Sequence, residues 1–146
     1  VLKQSCETPL VQANVKVKCS LNKIIDEALE KTRGRITDKV SIDKMLLYER
    51  PISMIPDALE KALIDIFDRS AKSLKDESGT IRVITRPKGI RAEIEISDTG
   101  EPLNIPLLKL SEKFKRTKTN IKRNNGLLNV SSSQAGSTYV IDLPTQ

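Results

Sequence analysis

Apolar residues recur every three or four positions in two stretches of the chain, as they do along one face of an α-helix. The first stretch, 21–32, follows Ser20, whose hydroxyl suits an N-cap. The second runs from Asp57, which we take as the cap, to Leu74. A short apolar helix is also predicted at 107–110. The buried stripe of the longest helix is expected to consist of Leu59, Leu63, Ile66, Ser70 and Leu74.

Elsewhere apolar and polar residues alternate, which predicts β-strands. The predicted strands are 40–43, 80–85, 90–97, 127–132 and 138–143. The residues Arg86-Pro-Lys-Gly89 form a hairpin loop between two of them. We interpret 51–56 as a turn region because proline stands at both of its ends. Residues 1–19 have mixed character and are treated as a linker or edge segment.

The order of these elements is helix, strand, long helix, hairpin, basic segment and hairpin. This order predicts an α+β fold, a two-layer α/β sandwich whose mixed, mostly antiparallel sheet is covered on one face by helices. A chain of 146 residues is long enough for one domain with its own core. We place that domain at residues 20–146, after the segment 1–19.

The composition narrows the classes of function. The chain contains no histidine, so a His general base, a His metal ligand and a phosphorylated His are excluded within these residues. Aromatic residues make up only 3% of the chain, so stacking platforms for single-stranded nucleic acid are almost absent. The net charge of +6 nevertheless suits an anionic partner.

Cysteine usage and hydropathy indicate a compartment. Cys6 and Cys19 lack metal-site spacing, and we expect both to be free thiols of a reducing, cytoplasmic environment. No apolar run is long enough to cross a membrane, so no membrane contact is expected. The chain starts at Val1 rather than Met, which suggests an excised piece of a larger protein.

One predicted strand ends in a candidate ligand-binding sequence, Ser97-Asp98-Thr99-Gly100. An Asp that leaves a strand into a glycine turn can direct its carboxylate at a pocket. Such a carboxylate accepts hydrogen bonds from an exocyclic amine, such as that of adenine. The alternative interpretation is an ordinary turn after a strand.

Two further clusters carry charge. On the long helix, Asp65, Arg69 and Lys72 lie at positions i, i+4 and i+7 of one polar face, which by itself predicts an intrahelical ion pair beside a lysine. Residues 113–123 are strongly basic and lack an apolar stripe, so we expect a mobile, irregular segment. It is either a solvated loop or a lid whose cations bind phosphate. The following Asn124-Asn-Gly126 either offers backbone N–H groups to a phosphate or forms a simple turn.

Taken together, these motifs resemble the catalytic ATP-binding domain of sensor histidine kinases over roughly residues 20–144. The segment 62–74, Ala-Leu-Ile-Asp-Ile-Phe-Asp-Arg-Ser-Ala-Lys-Ser-Leu, is similar to the N-box helix of that family. The segment 94–100, Ile-Glu-Ile-Ser-Asp-Thr-Gly, is similar to its first glycine box. The segment 136–144, Gly-Ser-Thr-Tyr-Val-Ile-Asp-Leu-Pro, is similar to its closing strand.

The resemblance implies roles for individual residues and for partners. It assigns adenine recognition to Asp98 of the Asp-Thr-Gly100 box, with help from Thr138, and it places Lys72 near the phosphates. It also implies an upstream dimerisation domain that carries the phosphoacceptor histidine, and a response regulator as a further partner.

The chain departs from the family at several of these positions. Arg69 stands where an Asn holds Mg²⁺ in the family, and Asp65 stands at an earlier N-box Asn. Pro102 replaces the second glycine of the first box, and the second glycine box is reduced to Gly126-Leu-Leu. The roughly ten residues between Gly126 and Gly136 are too few for the family's helix and a strand. We expect a salt bridge between Asp65 and Arg69 that occupies the metal position.

These departures favour a degenerate nucleotide site, which binds ATP weakly and without Mg²⁺, in a domain that serves as a scaffold or regulatory module. Phosphoryl transfer depends on charge neutralisation around the metal, so loss of the Mg²⁺ ligand should impair it severely. The alternatives are a competent histidine kinase catalytic domain and a nucleic-acid-binding module that uses 113–123. We further expect Arg69→Asn to cost little stability and to recover part of the Mg²⁺–nucleotide affinity.

Overall fold

The computed structural model describes residues 15–75 and 77–145. Cys6 and most of the segment 1–19 lie outside the described residues, and Cys19 is buried in the core. The helices are α1 Leu21–Thr32, α2 Pro56–Ser73, α3 Ile105–Leu110 and α4 Glu112–Lys122. The strands are β1 Val17–Ser20, β2 Val40–Leu46, β3 Pro51–Met54, β4 Gly79–Lys88, β5 Arg91–Asp98, β6 Leu127–Ser133 and β7 Gly136–Pro144.

Five strands form the main sheet, in the order β2-β4-β5-β7-β6. Only β2 and β4 run parallel, and the other neighbours are antiparallel. A second sheet consists of β1 and β3, which pair antiparallel. The mixed, mostly antiparallel sheet of an α+β sandwich is therefore confirmed.

The core lies between the helices and one face of the main sheet. Alternate residues of β4, β5 and β7 are fully buried and face α1 and α2. The predicted stripe of α2 is confirmed, since Leu59, Leu63, Ile66, Ser70 and Leu74 are all buried. The inner-face sheet residues of this core include Ile81, Val83, Ile94, Ile96, Tyr139, Ile141 and Leu143.

The two long helices begin differently. Ser20 caps α1 as predicted, because its hydroxyl accepts a hydrogen bond from the Lys23 amide at 3.3 Å. Asp57 is not the cap of α2, which was a wrong prediction: Pro56 occupies the first turn and Ile55 is the N-cap residue, without a side-chain cap. Proline suits this position because the amides of the first turn have no intrahelical partner.

The turn region predicted at 51–56 is also wrong. Residues 51–54 form β3, in which Ile52 and Met54 point into the core. Pro51 is tolerated because it is the first residue of the strand. The alternation of apolar and polar residues in β3 spans only four positions, so the two prolines led to the prediction of a turn.

The largest error concerns residues 113–123, which form the ordered helix α4 instead of an irregular loop. Ser111 caps it, because its hydroxyl accepts from the Phe114 amide at 3.3 Å. Phe114, Thr117 and Ile121 make a narrow buried stripe that packs on α2. The sequence gives little sign of this stripe because its middle member is a threonine and lysines surround all three residues.

Candidate functional site

The Asp98 turn lies at the end of β5, against the last turn of α2. Asp98 is 5% exposed, so its carboxylate is buried and does not stand free in a cleft. Its Oδ1 accepts hydrogen bonds from the Gly100 amide at 3.0 Å and the Ser73 hydroxyl at 3.2 Å. Its Oδ2 is buried without a hydrogen-bond partner in the described part of the chain. One oxygen therefore holds the turn, and the other is available to a donor.

Gly100 is needed for close approach to α2. A Cβ at this position would lie 2.7 Å from the carbonyl carbon of Ser73, which is backbone and cannot move aside. The Glu101 amide donates to the Ser73 carbonyl at 2.9 Å, which attaches the turn to the helix end. The glycine that the resemblance assigns to nucleotide binding thus has a packing role here.

Further buried polar atoms without partners belong to the elements beside Asp98. They are the hydroxyls of Ser70 and Tyr139 and two guanidinium nitrogens of Arg69. Burial raises the pKa of Tyr139 above its usual range, and the Asp98 carboxylate raises it further, whereas Arg69 acts in the opposite direction. Buried polar groups are usually paired, so these atoms are candidates for hydrogen bonds to a ligand.

Replacing Tyr139 with phenylalanine is expected to leave the domain as stable at neutral pH or to stabilise it by about 1 kcal/mol, because an unpaired buried hydroxyl is removed. Because folding raises the pKa of Tyr139, the folded state favours the neutral phenol. The resulting contribution to the free energy of unfolding is fully present below the unfolded-state pKa of about 10. It is lost as the pH rises further, so the wild-type free energy of unfolding should fall above about pH 10 more steeply than that of Tyr139→Phe. Urea unfolding at several pH values, with Tyr48→Phe as control, tests this. Parallel pH profiles would contradict it.

Thr138 lies on the strand next to Asp98 but not directly opposite it. In the β5–β7 pairing Thr138 lies opposite Ser97, and Ser137 lies opposite Asp98. Because neighbouring residues of a strand point to opposite faces, Ser137 shares the inner face with Asp98. Ser137 is buried, and its hydroxyl lies 3.0 Å from that of Ser132. Counting back two positions from the apolar Tyr139 would have identified Ser137 in the sequence.

The polar face of α2 contacts α4. The Thr117 hydroxyl donates to Asp65 Oδ2 at 3.0 Å, and the Arg69 guanidinium lies over the Phe114 ring, 5.6 Å from its centroid. The predicted salt bridge between Asp65 and Arg69 is absent from the described part of the chain. Each side chain of the predicted pair is instead engaged by the helix that was taken for a mobile loop.

Lys72 and Gly126 do not join this cluster. The Lys72 side chain is exposed near the C-terminal end of α2. Gly126 belongs to the end of α4, where Asn125 has a φ of 57° and the Gly126 amide donates to the Ile121 carbonyl at 3.1 Å. This is a Schellman motif, with Asn in place of the usual glycine. A Cβ on Gly126 would lie 2.9 Å from Ile121 Cγ2, so this glycine permits close packing at the end of α4.

The residues present do not fit Mg²⁺ held against phosphates. No group of three or more metal-ligating side chains occurs within residues 15–75 and 77–145. Arg69 is a cation and cannot ligate a metal, and the Asp65 carboxylate already accepts from Thr117. Glu112 adds a negative charge in the first turn of α4. The Asp98 Oδ2, which has no hydrogen-bond partner among the described residues, suits a donor such as an amine.

The fold is that of the catalytic domain of histidine kinases. The mycobacterial sensor histidine kinase MprB superposes with a TM-score of 0.79, at 19% identity, over 90% of this chain and 99% of its own. The Acinetobacter baumannii histidine kinase AdeS gives 0.77 at 15% identity, over 90% and 68%. The catalytic domain of the histidine kinase ThkA gives 0.76 at 14% identity, over 89% and 95%.

Sequence comparison adds no closer assignment. Neither a protein-family model nor a curated protein matches the chain significantly. None of the described helices is both long enough and apolar enough to cross a membrane. The comparisons therefore establish the fold, at sequence identities of 14–19%.

Proposed function

We propose that this domain is a signalling module with the histidine kinase catalytic fold that has lost Mg²⁺-dependent phosphoryl transfer and acts as a scaffold or regulatory element. Its expected partners are an upstream dimerisation domain and a response regulator, as the resemblance implies. ATP, if it binds at all, binds weakly and without Mg²⁺. The assignment to a cytoplasmic compartment follows from the same proposal.

The observation that carries the proposal is the direct packing of α4 on the polar face of α2. In the family this helix face points at the nucleotide. Here Asp65 is bonded to Thr117 and Arg69 lies over Phe114, so both side chains are engaged within the protein. A metal–phosphate group would have to break these contacts before it could bind, which opposes the charge neutralisation that phosphoryl transfer needs.

Calorimetric titration with ATP, with and without Mg²⁺, is expected to show weak or undetectable binding that Mg²⁺ does not strengthen. Arg69→Asn alone should not restore Mg²⁺ dependence, because Thr117 still occupies Asp65 and Phe114 still packs between the helices. This replaces the expectation from the sequence that Arg69→Asn recovers part of the Mg²⁺–nucleotide affinity. Arg82→Asn, on an exposed part of β4, is the matched control.

Tight, Mg²⁺-dependent binding by the wild type would overturn the proposal and favour the competent catalytic domain. If weak ATP binding is found, Asp98→Asn distinguishes specific recognition of adenine from non-specific electrostatic binding of the phosphates. The amide can still accept the hydrogen bonds of the turn through its own Oδ1, but its second group is a donor that cannot accept one from an exocyclic amine.

A further inference from the structure

Strand β6 forms one edge of the main sheet. Within residues 15–75 and 77–145 it pairs with β7 alone, in a regular register from Leu127 opposite Asp142 to Ser133 opposite Gly136, with no bulge. Its sequence, Leu-Leu-Asn-Val-Ser-Ser-Ser, contains neither a charged residue nor a proline. Natural proteins usually protect a free edge with such devices. The opposite edge strand, β2, does carry Asp43 and Lys44.

A groove of about 480 Å³ lies beside the start of β6, between this strand and the end of α4. Leu127 and Leu128 contribute apolar surface, and Leu127 is 64% exposed. Lys118 and Lys122 line the other side. The groove thus places apolar surface and two cations next to unpaired strand backbone.

The charge of the protein is concentrated at this location. Residues 105–123 contain seven Lys or Arg residues and one Glu, a net charge of +6, which equals that of the whole chain. Lys118 and Lys122 have no carboxylate partner among the described residues. The rest of the chain is therefore neutral overall, and the groove adjoins the helix that carries most of the excess positive charge.

We infer that the β6 edge and this groove bind an extended, acidic segment of a partner protein, which adds to the sheet as a further strand. Main-chain hydrogen bonds to β6 would supply affinity, and alternate side chains would supply specificity. Acidic residues on the added strand would contact Lys118 and Lys122, and an apolar residue would cover Leu127. The inference rests on the proposed scaffold role, for which it names the surface and the chemistry of the partner.

A protein strand fits this surface better than a nucleic acid does. Phe114, the one aromatic residue of α4, is 3% exposed and cannot stack on a base. A phosphate backbone also leaves the Leu127 side chain and the β6 amides without complementary groups. An extended polypeptide offers partners to the lysines, the leucine and the strand edge together.

The test uses the whole chain and a short fluorescent peptide of alternating Glu and Val, with a Lys–Val peptide of equal length as control. Fluorescence anisotropy should show binding of the acidic peptide but not of the Lys–Val peptide. The affinity for the acidic peptide should fall as the salt concentration rises. The double variant Lys118→Glu/Lys122→Glu should weaken binding about tenfold or more. Lys23→Glu/Lys39→Glu, an equal charge change at exposed sites, should not.

Two further measurements separate strand addition from charge attraction. Leu127→Ser, which leaves the charge unchanged, should weaken peptide binding, whereas Leu107→Ser, on a residue that is also 64% exposed, should not. Amide hydrogen exchange within residues 127–133 should slow when peptide is bound. Unchanged exchange there, equal binding of an oligonucleotide, or equal loss in both double variants would overturn the inference. None of these readouts involves ATP or Mg²⁺, so this failure is distinct from failure of the proposed function.

Discussion

Gly136→Ala is expected to abolish cooperative folding of the domain. Gly136 has a φ of 133°, a region that residues with a side chain rarely adopt. A Cβ would overlap the carbonyl oxygen of Asp98 and lie 3.0 Å from the Cα of Thr99. Both neighbours are backbone at the end of β5, so they can move only if the β5–β7 pairing breaks. The cost should exceed about 4 kcal/mol, which is most of the stability of a marginal domain.

Urea unfolding monitored by circular dichroism measures this effect. Gly34→Ala is the matched control, because no atom lies within 4 Å of a Cβ built there. The control should change the free energy of unfolding by less than about 1 kcal/mol. A Gly136→Ala protein with a wild-type unfolding midpoint would show that the two strand ends can separate without loss of the fold.

Asn124→Ala is expected to destabilise the domain by about 2–4 kcal/mol. The Asn124 Oδ1 accepts from the Ile55 amide at 2.6 Å, and its Nδ2 donates to the Ile55 carbonyl at 3.0 Å. Both residues are buried, so alanine would leave the Ile55 amide without a partner and the Ile55 carbonyl with only the Leu59 amide, at 3.4 Å. The amide of Asn124 thus substitutes for the missing side-chain cap of α2 and joins that helix start to the end of α4.

Asn129→Ala, at an exposed position of β6, is the control and should change stability by less than about 0.5 kcal/mol. Hydrogen exchange adds a local readout: α4 amides should exchange faster in Asn124→Ala, because its link to the start of α2 is lost. Equal stability of the two variants would mean that water replaces the Asn124 hydrogen bonds at no cost.

The proposed function depends on the α2–α4 interface. Asn124 holds one end of it, and the Asp65–Thr117 hydrogen bond and the Arg69–Phe114 contact occupy its middle. Since the same contacts hold α4 against the core and occupy the polar face of α2, we expect variants that open a metal–phosphate site there to lose stability as well.

Much of the fold was predictable because its signals are local. The stripe of α2, the cap at Ser20 and the alternation of β5 each follow from periodicity within one element. The signals for α4 were also local, since Ser111 precedes it and Asn125 ends it. These helix signals were outweighed by the strongly basic composition of the segment, in which the buried stripe consists of only three residues.

The sequence by itself determined the α+β architecture, the two hairpins and the Asp98 turn, because apolar periodicity and glycine positions specify elements and their order. Only the tertiary structure decided which groups meet. Whether Asp65 pairs with Arg69 or with Thr117 depends on where α4 packs, and residues 52 positions apart leave no periodic trace in the sequence. Which residue of β7 lies opposite Asp98 likewise depends on the register of β7 against β5, which pairing across the sheet sets.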